Sequence, residues 1–242
     1  DNARIQDPEG WYQRLRADPR VLAYSPQLVS QVIMTRAKAE TPVRLIGSIA
    51  KLQEKVTNIA DYMEEGKFSD IATGGNRIIL GVELMQKLGA RVGETVLVST
   101  GKAAALPFKI MGRFKIGVKT LDEGTAFASL SDVQRVNGTP SEVTDIALRV
   151  VDVEQARNIA ETWAQLTEEK VQSWDQANAN FLNVVKIQNV TRYMMITVIL
   201  IVASFGIYNI LNMTVNQKKK EIAILRSMGY EQNEIIALFL YQ

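Results

Sequence analysis

Apolar residues alternate with polar ones, or recur at helical spacing, along the first 175 residues, in short runs bounded by glycine and proline. Alternating runs predict strands, and apolar residues three or four positions apart predict helices. Strands are expected at 28–34, 43–46, 77–80, 94–99, 108–116, 145–151 and 170–174. Helices are expected at 8–17, 82–88 and 153–166, and a helical turn or two within 58–68, ending at Gly66. This mixture of several strands with short helices predicts an α+β domain.

Two capping patterns locate helix starts within this region. Ser131 and Gln134 have the spacing of a capping box, as do Asp152 and Gln155. The first pair predicts a short helix, and the second predicts the start of the amphipathic helix at 153–166.

A different pattern begins at Gln176, where apolar residues keep helical spacing and neither proline nor glycine occurs before Gly206. The segment 176–216 is therefore expected to form one helix of about 40 residues, close to 60 Å long. Two helices with a break near 189–192 are the alternative. Because the run 193–217 contains no Asp, Glu, Lys or Arg, it predicts a transmembrane helix.

Several polar residues interrupt the apolar run and fall on one side of a helix. The principal members of this polar face are Ser204, Tyr208, Asn209 and Asn212. Polar groups in hydrocarbon need partners, so the face is expected to meet neighbouring helices or a polar cavity. Either role, helix association or a substrate path, fits the pattern.

The sequence after the run is basic, with Lys218, Lys219, Lys220 and Arg226. Only Lys186 and Arg192 occur in the 20 residues before the run, so the positive-inside rule places the later segment in the cytoplasm. Ile222, Leu225 and Met228 repeat at threes, and Gly229 offers a helix stop. The segment 218–230 is expected to be a short amphipathic helix lying across the membrane face, either a simple turn between spans or a docking element.

The composition limits the kinds of partner, catalytic site and metal site that the chain can have. The chain of 242 residues has 28 Lys and Arg against 26 Asp and Glu, a net charge of +2, which argues against nucleic acid as a partner. It has no cysteine and no histidine, which excludes triads and metal sites built on those residues. No catalytic residue and no metal ligand is therefore predicted. A carboxylate enzyme using Asp61, Glu64 and Glu65 is a remote alternative, since these residues fit a solvated helix face.

The segment KKKEIAILRSMGYEQNEII, directly after NILNMTVNQ, resembles the region after the second membrane helix of ABC transporter permeases of the MacB/FtsX superfamily. In that family this region is the coupling helix, which fits a groove on the ATPase subunit. The segment PVRLIGSIAKLQEKVTNIADYMEEGKF is most similar to the lipoprotein-releasing permeases of the LolC/LolE type. By this resemblance the ATPase-contacting residues are Glu221, Ile222, Leu225, Arg226, Met228 and Gly229.

The resemblance implies a non-catalytic permease subunit in the bacterial inner membrane. Its periplasmic domain would comprise a porter-like subdomain and an inserted, smaller β-rich one, followed by a long transmembrane stalk helix. The partners implied are an ABC ATPase, a second permease subunit, membrane lipid, a lipoprotein cargo and a periplasmic carrier. This chain would bind no cofactor itself, because ATP and Mg²⁺ would lie in the ATPase, and no phosphate-binding loop motif occurs here.

This interpretation divides the chain into four parts. They are a periplasmic domain (1–175), a stalk and transmembrane helix (176–217), a cytoplasmic coupling helix (218–230) and the truncated start of a further transmembrane helix (231–242).

Other functions stay open at this point. Where LolC-like subunits have a long hairpin loop that hooks a carrier, the chain has only the ten residues 99–108, which predicts no docking by that hook and favours a LolE-like or homodimeric subunit. A MacB- or FtsX-like permease for efflux or cell-wall hydrolase activation is the nearest alternative. A membrane-tethered periplasmic sensor or adaptor is the alternative from another class.

Overall fold

A computed structural model describes residues 4–5, 7–101, 104–167 and 169–240. The chain divides into two compact units, Asp1–Gln172 and Ser173–Gln242. The helices and strands of the first unit are α1 (Pro8–Ala17), β1 (Val21–Arg36), β2 (Ala39–Ser48), α2 (Ala50–Thr57), β3 (Met63–Glu65), β4 (Arg77–Gly81), α3 (Val82–Lys87), β5 (Thr95–Ser99), β6 (Leu106–Phe114), α4 (Lys119–Gly124), β7 (Thr125–Ser129), α5 (Leu130–Asn137), β8 (Asp145–Val150) and α6 (Ala156–Ala164). The second unit contains α7 (Trp174–Ala177), α8 (Ala179–Ser227) and α9 (Gln232–Leu240).

Six strands of the first unit close into a ring. Strand pairing runs in the order β2, β7, β4, β6, β5, β1, and β1 pairs again with β2. The β2–β7 and β4–β6 pairs are parallel, and the others are antiparallel. Closure satisfies the main-chain hydrogen bonds on both sides of each of these strands, so the ring has no free edge.

The ring encloses the largest core of the unit. Alternate residues from all six strands meet there in one buried apolar cluster. Among its members are Leu28, Met34, Leu45, Ile78, Val98 and Phe108. A second cluster lies on the outer face of β4 and β7, where the Phe127 ring meets Phe68 and Phe114 edge to face, with ring centroids 5.4 Å apart in both pairs.

Strand β1 is long enough to take part in a second layer. Its residues 27–36 pair with β2, whereas Val21–Gln27 pairs with β8, which lies outside the ring. Helices α1 and α6 cover this extension through Leu15, Ile159 and Trp163, with the Trp11 and Trp163 ring centroids 6.2 Å apart.

Helix α2 and its C-cap residue Asn58 make hydrogen bonds to both layers. Gln27 Nε2 in β1 donates a hydrogen bond to Gln53 Oε1 in α2 at 2.7 Å, and Arg149 Nη1 in β8 donates to Asn58 Oδ1 at 2.8 Å. The buried hydroxyls of Ser25 and Ser48 have no hydrogen-bond partner among the described residues. Helix α2 is therefore held by these hydrogen bonds together with the apolar burial of Ala50.

Four local predictions differ from the structure. Asp152 does not cap α6, because this helix begins at Ala156 and its N-cap residue is Gln155, without a side-chain cap hydrogen bond. Of the one or two helical turns expected at 58–68, only a 3₁₀ turn, Ile59–Tyr62, forms, and β3 follows it because Met63 and Glu65 pair with β6. No strand forms at 170–174, where α7 begins at Trp174. Ser129, rather than Ser131, caps α5, its hydroxyl accepting a hydrogen bond from the Asp132 backbone N–H at 3.1 Å.

Asp18 joins the end of α1 to the start of β1. Its carboxylate accepts hydrogen bonds from Arg20 Nε at 3.0 Å and Nη2 at 2.7 Å. The hydrogen bonds from Arg20, with a smaller contribution from the Trp163 side chain in α6, lower the pKa of the Asp18 carboxyl below its ordinary value of 3.8.

We expect this carboxylate to make stability depend on pH. A lowered folded-state pKa means that the stabilisation is complete above the unfolded-state pKa, about 3.9, and is lost as the pH falls through the folded-state value. Urea unfolding should therefore show the chain more stable than D18N at about pH 6, with the difference shrinking towards about pH 2. An equal difference at both pH values would contradict the assignment.

Gly81, at the junction of β4 and α3, lies against the backbone of α4. A Cβ atom at this position would overlap the carbonyl oxygen of Asp122. Its φ of −66° is open to any residue, so the restriction is steric.

We therefore expect G81A to lower the free energy of unfolding by about 1–3 kcal/mol. The control is G124A in α4, because a Cβ at Gly124 meets no heavy atom within 4 Å. Thermal unfolding of the purified chain in detergent should separate the two variants. Equal melting temperatures would show that α3 and α4 are not packed this closely.

Candidate coupling segment and membrane helix

Helix α8 contains every residue of the predicted coupling segment except those that end it. It has 49 residues, a length of about 70 Å at 1.5 Å per residue. Within the described residues, Leu182–Ser227 is the one stretch long and apolar enough to cross a membrane, with a mean hydropathy of 2.2 in its most apolar window. None of that window is buried within the chain.

The helix differs from the sequence prediction at both ends. It is continuous at 189–192, so the alternative with a break there is wrong, but α7 and α8 are separated at Asn178, whose φ and ψ are −108° and 22°. At the other end the prediction of a separate helix at 218–230 is wrong, because residues 218–227 are the last turns of α8. Neither glycine nor proline occurs at 207–228, so nothing in the backbone ends the helix earlier.

Gly229 ends α8, as the sequence predicts. Its φ is +94°, in the left-handed region that glycine adopts without steric cost. The Tyr230 N–H donates to the Leu225 carbonyl at 3.3 Å, and the Gly229 N–H donates to the Arg226 carbonyl at 3.2 Å. This pair of bonds is the Schellman motif, and it satisfies two of the carbonyls at the helix end.

The chain then turns directly into α9. The Glu234 side chain accepts a hydrogen bond from the Glu231 backbone N–H at 3.1 Å, which stabilises the start of this helix. Ile235 is buried, although its neighbours in α9 are exposed. Residues Arg226 to Tyr230, called the tip below, therefore lie at the junction of α8 and α9.

The side chains predicted to contact a partner do not have equal environments. Ile222 and Leu225 are half-buried, whereas Arg226 is exposed and Met228 is 70 % exposed. Glu221 already has a partner, since Lys218 Nζ lies 2.6 Å from its Oε2. Within the described residues Arg226 has no ion pair and no side-chain hydrogen bond. Of the predicted contact residues, the cation Arg226 and the flexible apolar Met228 are therefore the ones with exposed side chains and no partner in the described chain.

The polar face of α8 contains two kinds of residue. The hydroxyl groups form hydrogen bonds within α8 itself. Ser204 Oγ donates to the Leu200 carbonyl at 2.7 Å, and Thr197 Oγ1 donates to the Tyr193 carbonyl at 2.9 Å. These residues need no partner outside the helix.

The amides and the phenol of this face are less well satisfied. Asn212 Oδ1 accepts one hydrogen bond from Asn216 at 3.3 Å. No side-chain hydrogen bond is formed by Tyr208 or Asn209 in the part of the chain that the structure describes. An unsatisfied amide in hydrocarbon is costly, so these residues are the ones that require a neighbouring helix or a polar cavity.

No group of three or more Asp or Glu residues suited to a metal ion occurs among the described residues. Asp61, Glu64 and Glu65, considered above for carboxylate chemistry, lie around β3, where Glu64 Oε2 lies 3.3 Å from Arg113 Nε. This ion pair gives at least Glu64 a structural role.

The family model described as the MacB-like periplasmic core domain matches residues 2–166, more than half of the chain. The chain belongs to the MacB-like periplasmic core family. A second family model, the FtsX-like permease C-terminal region, matches residues 193–242, which include the membrane run and the predicted coupling segment. The predicted superfamily is thereby confirmed.

Two curated relatives match this chain over nearly its whole length. The lipoprotein-releasing system transmembrane protein LolC of Neisseria meningitidis is 29 % identical over 92 % of this chain. The corresponding LolE of Haemophilus influenzae is 21 % identical over 95 % of it. The chain spans only 56 % and 58 % of these two relatives' lengths.

A solved structure shows the fold of the first unit. The extracellular domain of the noncanonic ABC-type transporter YknZ from Gram-positive bacteria aligns over 68 % of this chain and 85 % of its own length, with a TM-score of 0.50 at 14 % identity. The predicted α+β class is confirmed.

The short connection between β5 and β6, where a hook was not expected, includes residues 102 and 103, which lie outside the described residues.

The polar face yields a test of which residues meet a neighbour. We expect N209L to lower the temperature at which the complex purified from membranes dissociates, because about 0.6–2 kcal/mol of interhelical hydrogen bonding is lost. The matched control is S204A, whose hydroxyl bonds within α8 and whose removal should leave the complex unchanged. An intact complex with lost transport in N209L would instead favour a substrate path.

Proposed function

We propose that this chain is the larger part of a permease subunit of an inner-membrane ABC transporter. The subunit couples ATP hydrolysis in the cytoplasm to movement of its periplasmic core, and the process served is release of lipoproteins from the membrane. The match to the FtsX-like permease region supports the transporter class, and the LolC and LolE relatives support lipoprotein release.

One observation carries the proposal: α8 continues without a break from the apolar run into the segment that ends at Gly229. Consecutive main-chain hydrogen bonds make such a helix stiff along its axis. A displacement of the tip is therefore passed into the membrane-crossing part of the same helix. A loop or a hinge between the two would absorb the motion.

The charge distribution supports the orientation. Lys218, Lys219, Lys220 and Arg226 follow the apolar run, so the tip lies in the cytoplasm and the first unit lies in the periplasm. An ABC ATPase is then the partner that can reach the tip, and it supplies ATP and Mg²⁺. The chain itself binds no cofactor and catalyses no reaction.

In this arrangement Arg226 is the charged anchor of the ATPase contact and Met228 is its apolar anchor. Both side chains are exposed at the tip, and Ile222 and Leu225 support the turn from the half-buried side. Glu221 acts on the helix itself, through its ion pair with Lys218. Gly229 permits the sharp end of α8 that places Arg226 and Met228 at the tip.

A second permease subunit completes the assembly, and the polar face of α8 is the surface proposed to meet its helices. The cargo is a lipoprotein whose acyl chains leave the bilayer. A periplasmic carrier receives it, at a surface other than a hook formed by the short β5–β6 connection.

The coupling role is tested with R226E/M228E. A buried interface charge is worth about 2–5 kcal/mol when its partner is left unpaired, so retention of the ATPase should fall at least tenfold in co-purification. Coupled transport should be lost with it.

The matched control is S227E, which adds a carboxylate in the same turn, about 100° from each neighbouring side chain. It should keep the ATPase, and circular dichroism should show equal helix content in both variants. If R226E/M228E retains both ATPase binding and coupled transport, the assignment of the tip is wrong.

A further inference from the structure

The three lysines that follow the apolar run are not equivalent. Lys218 Nζ lies 2.6 Å from Glu221 Oε2, one turn further along α8. That pair is neutral as a unit. Lys219 and Lys220 have no ion pair with any residue of the described chain.

Their position along α8 sets what they meet. At 100° per residue, Lys219 and Lys220 point to other sides of the helix than the Lys218–Glu221 pair does. Both follow the uncharged run 193–217 within three residues, so they lie at the level of the lipid headgroups on the side where α8 leaves the membrane. Long lysine stems extend along the acyl boundary and bring the ammonium group to the headgroup phosphates.

We propose that Lys219 and Lys220 bind the phosphate groups of anionic phospholipids, and that this contact sets the depth of α8 in the bilayer. The inference rests on the proposed function, since it requires α8 to cross the membrane. The occupant is a lipid because the pair adjoins the apolar run directly, where the charge complement within reach is the anionic headgroup layer.

The depth of α8 in the bilayer matters because the helix continues without a break from Lys220 to Ser227. Six to seven residues separate the pair from Arg226, about 10 Å along the helix axis. A fixed depth at Lys219 and Lys220 therefore holds Arg226 and the tip about 10 Å beyond the headgroups. The lipid contact would hold the surface that the ATPase binds at a constant distance from the membrane.

The experiment uses the full chain in phosphatidylcholine vesicles that contain a small share of spin-labelled phosphatidylglycerol or spin-labelled phosphatidylcholine. Electron spin resonance of the motionally restricted lipid compares the association of the two lipids with the protein. The chain should prefer phosphatidylglycerol, and K219Q/K220Q should reduce that preference about fivefold or more, the effect of about 1 kcal/mol per lysine near the surface. K219R/K220R should retain it.

Two control variants test whether the lipid preference depends on Lys219 and Lys220 in particular or on the net charge of the chain. K218Q/E221Q removes the paired charges and should leave the preference unchanged. K51Q/K55Q removes two exposed lysines from α2, far along the chain from the apolar run, and should also leave it unchanged. An equal loss in K51Q/K55Q and K219Q/K220Q would overturn the proposal in favour of a general charge effect.

The remaining outcomes are equally distinct. If K219Q/K220Q keeps its lipid preference but no longer retains the ATPase, the pair meets an acidic protein surface and the lipid proposal is overturned. An inserted chain with no preference overturns this inference alone. A chain that does not float with the vesicles overturns the proposed function as well.

Discussion

The unbroken main-chain hydrogen bonding of α8 is the constraint on which the rest depends. Hydrocarbon contains no water to satisfy exposed amide and carbonyl groups, so a segment that crosses it must satisfy them internally, as a helix does. Since no glycine or proline follows until Gly229, the same ladder continues past the lysines to Ser227. The polar face, the basic pair and the tip are thus fixed points on a single rod, and their spacing follows from a rise of 1.5 Å per residue.

In the first unit the comparable constraint is β1, which belongs to two layers. Its later half helps to close the six-stranded ring, and its first half pairs with β8 beneath α1 and α6. Between the halves lies the polar contact of Gln27 with Gln53, flanked by the buried hydroxyls of Ser25 and Ser48. An apolar contact of this size would tolerate sliding, whereas hydrogen bonds between amides specify one arrangement. The hydrogen bond between Gln27 and Gln53 therefore helps to specify how α2 packs against β1 where the two layers join.

Local pattern located most elements and missed those that depend on pairing. The strands at 28–34 and 43–46 were expected, but the pattern did not show that β1 begins at Val21 and extends to Arg36, or that the chain returns in β2 as a hairpin, because pairing between the strands sets these bounds. The segment 58–68 has helical spacing, yet pairing with β6 converts part of it into β3. Ser129 and Ser131 are equivalent caps by composition, and only the end of β7 decides between them.

The sequence predicted the candidate site better than it predicted the first unit, because the residues of the site are close in sequence. An uncharged run, a basic boundary and the segment ending at Gly229 are properties of the chain itself, and they predicted the long apolar helix and the end of α8. The tertiary structure decided what required distances: that the coupling segment is the last part of α8, that Glu221 is occupied by Lys218, that the serine and threonine hydroxyls need no partner, and that six strands close a ring. Spacing along one helix can be read from residue order, whereas the conformation of a side chain selects its partner among near neighbours, and ring closure joins strands far apart in sequence that only folding brings together.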